Sequence, residues 1–175
     1  MTKAIPNLIQ PDLKILFIGI NPGLRSAEVR HHFAGRSNRF WRFLFDSGLT
    51  PQKLQGEEDF QLLRLGYGIT NIIDRPTASA AELLAEEYKQ GAIELVNLLK
   101  EFQPGVAAYL GKDIYKTVAQ RKELHWGLQA PSVVEGVIDF LLPNPSGLNR
   151  MPLDEQLGYY KQLKEITPIK NAPAN

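Results

Sequence analysis

The stretch LKILFIGI at Leu13–Ile20 is apolar after Lys14, as expected of a strand that is covered on both faces of a sheet. It runs directly into the loop NPGL at residues 21–24. A second apolar run, Val137–Leu142, leads in the same way into the loop NPSGLNR at residues 144–150. Loops that leave the carboxyl ends of parallel strands line the ligand crevice of an open α/β sheet. The sequence therefore predicts one cleft lined by two neutral asparagine amides, backbone N–H groups and an arginine.

The rest of the chain alternates between helical and strand patterns. The predicted elements are a helix from Ser37 or Asn38 to Ser47, a short helix at Glu57–Leu65, a strand at Gly68–Ile73, a helix at Ser79–Phe102 in which Gln90-Gly91 can mark a break, a strand at Val106–Leu110, a helix at Lys112–Ala119, a hairpin of Pro131–Val134 and Val137–Leu142 around Glu135-Gly136, and a helix at Leu153–Ile166. This alternation predicts a three-layer α/β/α domain with a short, mostly parallel central sheet. Right-handed crossovers then bring the ends of the first, second and last strands to one edge. We expect one domain over residues 1–175, with flexible ends at residues 1–12 and 168–175.

The composition is that of an ordinary soluble globular protein. The 175 residues contain no cysteine, which excludes disulfides, thiol nucleophiles and cysteine-ligated metal clusters and agrees with a reducing cytoplasm. No segment predicts a membrane span or a secretory signal. The net charge of +1 does not by itself indicate nucleic-acid binding. The small size and the absence of a further apolar face favour a monomer.

Positive charge is nevertheless concentrated in one stretch. Residues 25–42 contain five arginines and two histidines but only one acidic residue. Such a stretch can supply phosphate contacts, or it can be a solvated loop and helix face. Charge alone favours the second interpretation.

Several common site motifs are absent. The loop at residues 21–24 fits neither the dinucleotide pattern Gly-x-Gly-x-x-Gly nor a phosphate loop ending in Gly-Lys-Ser/Thr, and the chain has no Gly-x-Ser-x-Gly nucleophile elbow. His31 and His32 are adjacent, so their side chains point in different directions, and His125 stands alone. We therefore predict no metal site and no cofactor.

Four blocks of sequence together resemble a known family. They are GINPGL at residues 19–24, FA at residues 33–34 with NRFW at residues 38–41, DRPT at residues 74–77, and NPSGL at residues 144–148. In this order and at these separations they resemble the mismatch-specific uracil-DNA glycosylases and their relatives, the thymine-DNA glycosylases. The lack of cysteine argues against the iron–sulfur uracil glycosylases, and an asparagine rather than an aspartate at position 21 argues against the fast uracil-specific class.

The resemblance implies a monofunctional DNA glycosylase that acts on double-stranded DNA. Such an enzyme flips uracil, or another damaged or mispaired pyrimidine opposite guanine, out of the duplex and hydrolyses its bond to the sugar, leaving an abasic site for base excision repair. Asn21 would position the attacking water, and Asn144 would hydrogen-bond a pyrimidine carbonyl as negative charge develops. Because an asparagine is not a base, catalysis would rest on orientation and charge stabilisation, and turnover would be slow. No lysine occupies the water-positioning site, so no Schiff-base strand cleavage is expected.

The resemblance also implies four residues that bind the flipped base. Ile20 would contribute its backbone N–H, and Phe33 would stack on the base, although Phe33 can equally be a core aromatic residue. Ser26 would form the wall near C5 of the base, where a small residue admits a substituent. Asn71 would face the same edge, at a position where some relatives carry lysine, which leaves the preferred base open.

Three further residues are implied to contact DNA. Leu148 would wedge into the gap left by the flipped nucleotide, with ordinary packing against the last helix as its alternative. The backbone near Gly147 would contact the widowed guanine, and Arg150 would hold a phosphate or the opposite strand. Lys112 is expected from its own position, at a helix start after Gly111, where it can contact phosphate, with a solvated lysine as the default interpretation.

Two other functions remain open at this point. A non-catalytic binder of mismatched or damaged DNA would keep the same cleft, and abasic-site formation under single-turnover conditions separates it from an enzyme. An α/β enzyme acting on free nucleotides would need only the fold, but it would have no use for an exposed Leu148 at a loop tip.

Overall fold

A computed structural model describes residues 4–167, so the predicted flexibility of residues 1–3 and 168–175 lies outside the described residues. The regular elements are β1 (Ile15–Gly19), α1 (Leu24–Val29), α2 (Phe40–Asp46), a 3-10 helix at Gly56–Leu65, β2 (Tyr67–Asn71), a short 3-10 helix at Ala80–Glu82, α3 (Ala85–Phe102), β3 (Val106–Leu110), α4 (Lys112–Ala119), β4 (Gly127–Gln129), β5 (Ile138–Leu142) and α5 (Leu153–Ile166).

The five strands form one sheet in the order β2-β1-β3-β5-β4. β1 pairs in parallel with β2 and β3, β3 pairs in parallel with β5, and only β4 is antiparallel to its neighbour. The carboxyl ends of the four parallel strands therefore meet at one edge. The predicted α/β fold with a short, mostly parallel sheet is confirmed.

Helices cover the sheet on both faces, which explains why β1 is apolar throughout. Ile15 and Phe17 join a core with Phe40, Trp41 and Phe43 of α2 and with Tyr160 of α5. The alternating residues of the same strand, Leu16 and Ile18, join a second core with α3 and α4. Successive side chains of a strand point to opposite faces, so a strand between two helical layers has no polar side.

The predicted hairpin is wrong in its first strand. β5 pairs with Gly127–Gln129, and residues 131–134 form no strand. The backbone N–H of Val133 donates instead to the buried carboxylate of Asp139 (2.7 Å), and Pro131 has no N–H to offer a ladder.

The long predicted helix differs from the structure at its start and in its middle. Ser79 caps only the short 3-10 turn, with its Oγ accepting from the N–H of Ala81 (3.2 Å), and the α-helix begins at Ala85. Gly91 does not break this helix. A Cβ atom there would lie 2.0 Å from the carbonyl oxygen of Ile72, so the glycine allows α3 to approach the chain beyond β2 closely.

The N-terminal segment that the sequence predicts to be flexible packs against the domain at Ile5 and Leu8. Leu8 and Ile69 exchange two backbone hydrogen bonds of 2.9 Å each, which pairs the segment with β2, and Ile5 is buried. The short helix α1 lies in the basic stretch, where the sequence analysis predicts no element.

Candidate active-site cleft

A cleft of about 560 Å³ opens where the parallel strands end. Its walls come from the loops after β1, β2 and β5, from parts of residues 32–38 and from residues 77–80. Eight of the ten predicted site residues line it: Ile20, Asn21, Ser26, Phe33, Asn71, Asn144, Gly147 and Leu148. The other two, Lys112 and Arg150, are exposed and lie outside this lining.

The Asn21 side chain is held through its amide nitrogen. Nδ2 donates to the backbone oxygen of Arg75 (2.8 Å) and to Oγ1 of Thr77 (2.8 Å). A carbonyl oxygen can only accept a hydrogen bond, so the nitrogen of the amide must face Arg75. Within residues 4–167 no group donates to Oδ1 of Asn21. The amide therefore offers a fixed acceptor to a molecule bound in the cleft.

The segment that holds Asn21 is itself anchored on both sides. Thr77 is 3% exposed, and its N–H donates to the carbonyl oxygen of Pro22 (3.2 Å). The Arg75 guanidinium makes a two-pronged contact with the Glu87 carboxylate, at 2.7 and 2.8 Å. Hydrogen bonds from Arg75 and from the backbone of Leu84 lower the pKa of Glu87 to about 2.

The Asn144 amide is held the opposite way round. Its Oδ1 accepts from the N–H of Ser146 (2.8 Å), while its backbone oxygen accepts from Nδ2 of Asn149 (2.9 Å). Because Oδ1 accepts this N–H, the Nδ2 group of the amide is free to donate, and it has no acceptor among residues 4–167. The two Asn-Pro loops thus present complementary groups to one cleft, an acceptor at Asn21 and N–H donors at Asn144.

Phe33 both lines the cleft and joins the aromatic core. Its ring stacks on that of Phe40, with centroids 4.1 Å apart and planes 28° apart. Its backbone has a φ of 51°, in the left-handed region that a bulky residue seldom adopts. A residue held in such a conformation needs support from its surroundings.

That support comes from the residues on either side of Phe33. The carboxylate of Asp59, which is only 4% exposed, accepts from the N–H of His32 (2.9 Å) and lies 3.2 Å from Nδ1 of His31. On the other side, Oγ of Ser26 accepts from the N–H of Ala34 (3.0 Å). Ser26 is therefore a wall residue whose hydroxyl is already engaged by the backbone.

His32 is a buried structural residue, so it fits neither interpretation given above for the basic stretch, phosphate contacts or a solvated loop and helix face. Its Nε2 lies 2.9 Å from the carbonyl oxygen of Pro6, to which it must donate. Burial lowers the pKa of His32 and so favours the neutral form of the ring. The half-buried His31 faces Asp59.

Asn71 ends β2 directly beside Gly19, the last residue of β1. A Cβ atom at Gly19 would lie 2.5 Å from Oδ1 of Asn71. The glycine therefore makes the space in which the Asn71 side chain reaches the cleft.

The second Asn-Pro loop carries the most exposed large apolar side chain described in the fold. Leu148 is 89% exposed, so its alternative, ordinary packing against the last helix, is wrong. Gly147 lies against residue Ser37: a Cβ atom at position 147 would be 2.6 Å from Cβ of Ser37 and 2.8 Å from its carbonyl oxygen. Arg150, the last residue of this loop, is exposed.

Lys112 has an aromatic partner at the start of α4. Its ammonium group lies 4.6 Å from the centroid of the Trp126 ring, a cation–π contact that holds the charge near the surface. The lysine is exposed.

The basic stretch is partly used within the protein. Arg25 pairs with Glu28 at 2.9 Å and Arg42 with Asp46 at 3.2 Å. Arg39 bonds to carbonyl oxygens of the second Asn-Pro loop. These contacts favour a structural role for much of the stretch.

Thr77 and Arg39 hold the cleft loops in place, and the sequence alone predicts no role for either of them. Both lie inside blocks that carry the family resemblance, DRPT at residues 74–77 and NRFW at residues 38–41. Their position in these blocks is the sequence signal that could have pointed to their roles. Local patterns could not, because Thr77 bonds to a residue 56 positions away and Arg39 to residues more than 100 positions away.

Among the described residues, no group of three or more histidine, cysteine, aspartate or glutamate side chains is arranged to hold a metal ion. Within residues 4–167, no helix has the length and apolar character that crossing a bilayer requires.

The fold and the cleft define an α/β domain that presents fixed neutral amides at the carboxyl edge of a parallel sheet. The chain belongs to the uracil DNA glycosylase superfamily, whose family model matches residues 6–166. The solution NMR structure of a proposed uracil DNA glycosylase from Methanosarcina acetivorans has a similar fold, with a TM-score of 0.60 and 18% sequence identity over 93% of this chain and 98% of that one.

Proposed function

We propose that this protein is a monofunctional DNA glycosylase that flips uracil out of double-stranded DNA, preferentially opposite guanine, and hydrolyses the bond between base and sugar. Membership of the uracil DNA glycosylase superfamily supports glycosylase activity on uracil in general. The single observation that carries the mechanism is the anchored amide of Asn21, whose Oδ1 is left as an acceptor in the cleft.

Asn21 accepts a hydrogen bond from the attacking water and orients its lone pair toward C1′ of the sugar. The amide cannot remove a proton, so the water attacks a sugar that has already become cation-like as the base departs as an anion. The rate enhancement then comes from position and from stabilisation of separated charge. The product is an abasic site that enters base excision repair. Because position 21 is an asparagine and not a lysine, the enzyme forms no Schiff base there and does not cleave the strand.

Groups around the cleft bind the departing base. The ring face of Phe33 that is turned away from Phe40 stacks on the pyrimidine, and the N–H of Ile20 donates to a pyrimidine carbonyl. The free N–H donors of Asn144 stabilise a carbonyl oxygen as it gains negative charge. Asn71 contacts the same base edge and sets the preference among pyrimidines.

The outer surface of the cleft meets the duplex. Leu148 wedges into the gap left by the flipped nucleotide, and the backbone at Gly147 contacts the widowed guanine. Arg150 and Lys112 supply positive charge for phosphates on either side. The small wall residue Ser26 leaves room for a substituent at C5 of the base. A monomer in the cytoplasm stays our prediction for the working state.

Single-turnover excision tests this function directly. A labelled duplex with one uracil opposite guanine is incubated with excess enzyme, and alkali then reveals abasic sites. We expect Asn21→Ala to slow excision by about 100-fold or more, since displacing a reacting group has effects of that size. The matched control is Asn97→Ala, which removes an exposed asparagine on α3 and should leave the rate unchanged.

The same assay separates the alternatives. Duplex binding without abasic sites from the wild-type protein would identify a non-catalytic binder of damaged or mismatched DNA. Uracil opposite adenine, thymine opposite guanine and single-stranded uracil DNA, tested in parallel, define the specificity. Equal rates opposite guanine and adenine would contradict the proposed mismatch preference.

A further inference from the structure

One arginine joins the two walls of the cleft mouth. Arg39 lies at the start of α2, and its backbone N–H donates to the carbonyl oxygen of Pro145 (2.8 Å). Its guanidinium donates through one terminal nitrogen to the carbonyl oxygen of Asn149 (3.1 Å) and through the other to that of Gly147 (3.4 Å). The side chain is half-buried.

These contacts bracket Leu148. The two carbonyl groups held by the guanidinium belong to the residues immediately before and after it, so one planar cation fixes the backbone on both sides of the exposed side chain. Planarity matters, because the guanidinium presents its donors in a fixed fork, whereas a lysine ammonium is a single point of attachment.

The other hydrogen bonds of the loop are local. Ser146 Oγ accepts from the N–H of Leu148 (3.2 Å), and the Asn144 side chain bonds to Ser146. Within residues 4–167, Arg39 supplies every hydrogen bond that reaches residues 144–150 from outside residues 144–151. Without the guanidinium, the loop would keep its internal turns but lose its side-chain attachment to α2.

An apolar wedge needs a stiff support. Unstacking a base pair is unfavourable, and a flexible loop would yield or lose conformational entropy as it inserts. A pre-ordered loop has little further entropy to lose, so the same side chain inserts more effectively when its backbone is already fixed.

We propose that Arg39 is a positioning residue for the insertion of Leu148 into the duplex. It acts through the carbonyl groups of Gly147 and Asn149, on either side of Leu148, and holds that side chain ready to enter. The inference rests on the proposed function, because it assumes that Leu148 enters DNA. It assigns Arg39 to the loop backbone of the protein rather than to a phosphate, although the residue lies in the basic stretch.

A double-mutant cycle tests this role. The variants are Arg39→Ala, Leu148→Ala and the pair, and each is measured by single-turnover excision on a duplex with uracil opposite guanine. We expect Arg39→Ala to slow excision by at least about tenfold, because it removes two charge-assisted hydrogen bonds and the loss of one has an effect of about that size. In the Leu148→Ala background the same change should have less than about a twofold effect, because the side chain that Arg39 positions is already gone.

Two further variants separate positioning from charge and from folding. Arg64→Ala removes an exposed arginine from the end of the 3-10 helix at Gly56–Leu65 and should leave the rate unchanged in either background. Arg39→Lys keeps the charge but not the fork, so it should recover only part of the loss. If Arg39 served a phosphate instead, lysine would restore the rate, and the effect of Arg39→Ala would be equally large without Leu148. Either result would overturn the inference.

A second measurement keeps the inference separate from catalysis. Fluorescence of 2-aminopurine placed beside the target uracil reports unstacking when protein binds, whether or not a bond is broken. Unstacking that depends on Leu148 and Arg39 in the same non-additive way, without excision, would refute the glycosylase function but support the positioning role. A wild-type protein that binds the duplex without unstacking it would overturn the positioning role, and it would overturn the proposed function as well if no abasic sites form.

Discussion

Replacing Thr77 with valine removes one of the two acceptors that hold the Asn21 amide. Valine has nearly the same shape as threonine, and the site is 3% exposed, so the change removes the hydroxyl without opening a cavity. Asn21 Nδ2 keeps its bond to the Arg75 carbonyl but loses the 2.8 Å bond to Oγ1. One hydrogen bond contributes about 1 kcal/mol to holding such a group in place.

A loss of about 1 kcal/mol in the alignment of the attacking water corresponds to about fivefold slower excision. The assay is single-turnover excision on the duplex with uracil opposite guanine, with affinity for an abasic duplex measured alongside and expected to stay constant. Thr77→Ser keeps the hydroxyl and should restore most of the rate. The control is Thr117→Val, which removes a hydroxyl that bonds within α4 to the carbonyl oxygen of Asp113 (3.0 Å).

The Asn21→Ala background decides whether Thr77 acts through the amide. In that background Thr77→Val should have no further effect, because residues that share one interaction are not additive. A wild-type rate for Thr77→Val, or an equal slowing with and without Asn21, would refute the proposed path from Thr77 to the water.

Two other predictions follow from close contacts and from charge. Gly147→Ala places a Cβ atom 2.6 Å from Cβ of Ser37, so it should destabilise the fold by about 1–3 kcal/mol in urea denaturation and slow duplex excision, whereas Gly158→Ala meets no atom within 4 Å and should not destabilise it. Equal stability of the two variants would contradict this packing. Hydrogen bonding to Arg75 lowers the pKa of Glu87 from its ordinary value of 4.5 to about 2, so the stabilisation is present above pH 4.5 and is lost as pH falls toward 2. Glu87→Gln should therefore flatten the fall of Tm across this pH range, and an unchanged slope would exclude the contribution of the pair.

The sequence predicts the elements that depend on local patterns. The apolar periodicity of α5 gives its bounds at Leu153–Ile166, and the apolar run of β1 indicates a strand covered on both faces, as the structure shows. Both signals depend on residues close in sequence, where helix and strand periods differ clearly. Of the eight residues that line the cleft, Asn21 and Asn144 follow from motifs next to strand ends, and the others come from the family resemblance.

The features that the sequence misses depend on contacts between distant segments. The partner of β5 is decided by Asp139, whose buried carboxylate takes the N–H of Val133 out of any ladder. Gly91 resembles a helix break until the nearby carbonyl of Ile72 is known. Arg39 resembles one more residue of a basic stretch, although its guanidinium is used by carbonyl groups more than 100 positions away. Local sequence periodicity cannot predict such contacts between distant segments.

The two Asn-Pro motifs show most clearly why tertiary contacts decide function. In sequence they are nearly equivalent, each an asparagine after a buried strand and before a proline. In the fold, Asn21 is held by its nitrogen and Asn144 by its oxygen, so one presents an acceptor and the other presents donors. An acceptor suits the orientation of a water molecule that gives up one proton as its oxygen bonds to C1′, and donors suit a base that must leave as an anion. Under the proposed function, the cleft would meet both needs of glycosidic hydrolysis with neutral groups, and reversing either amide would turn its stabilising group into a repelling one.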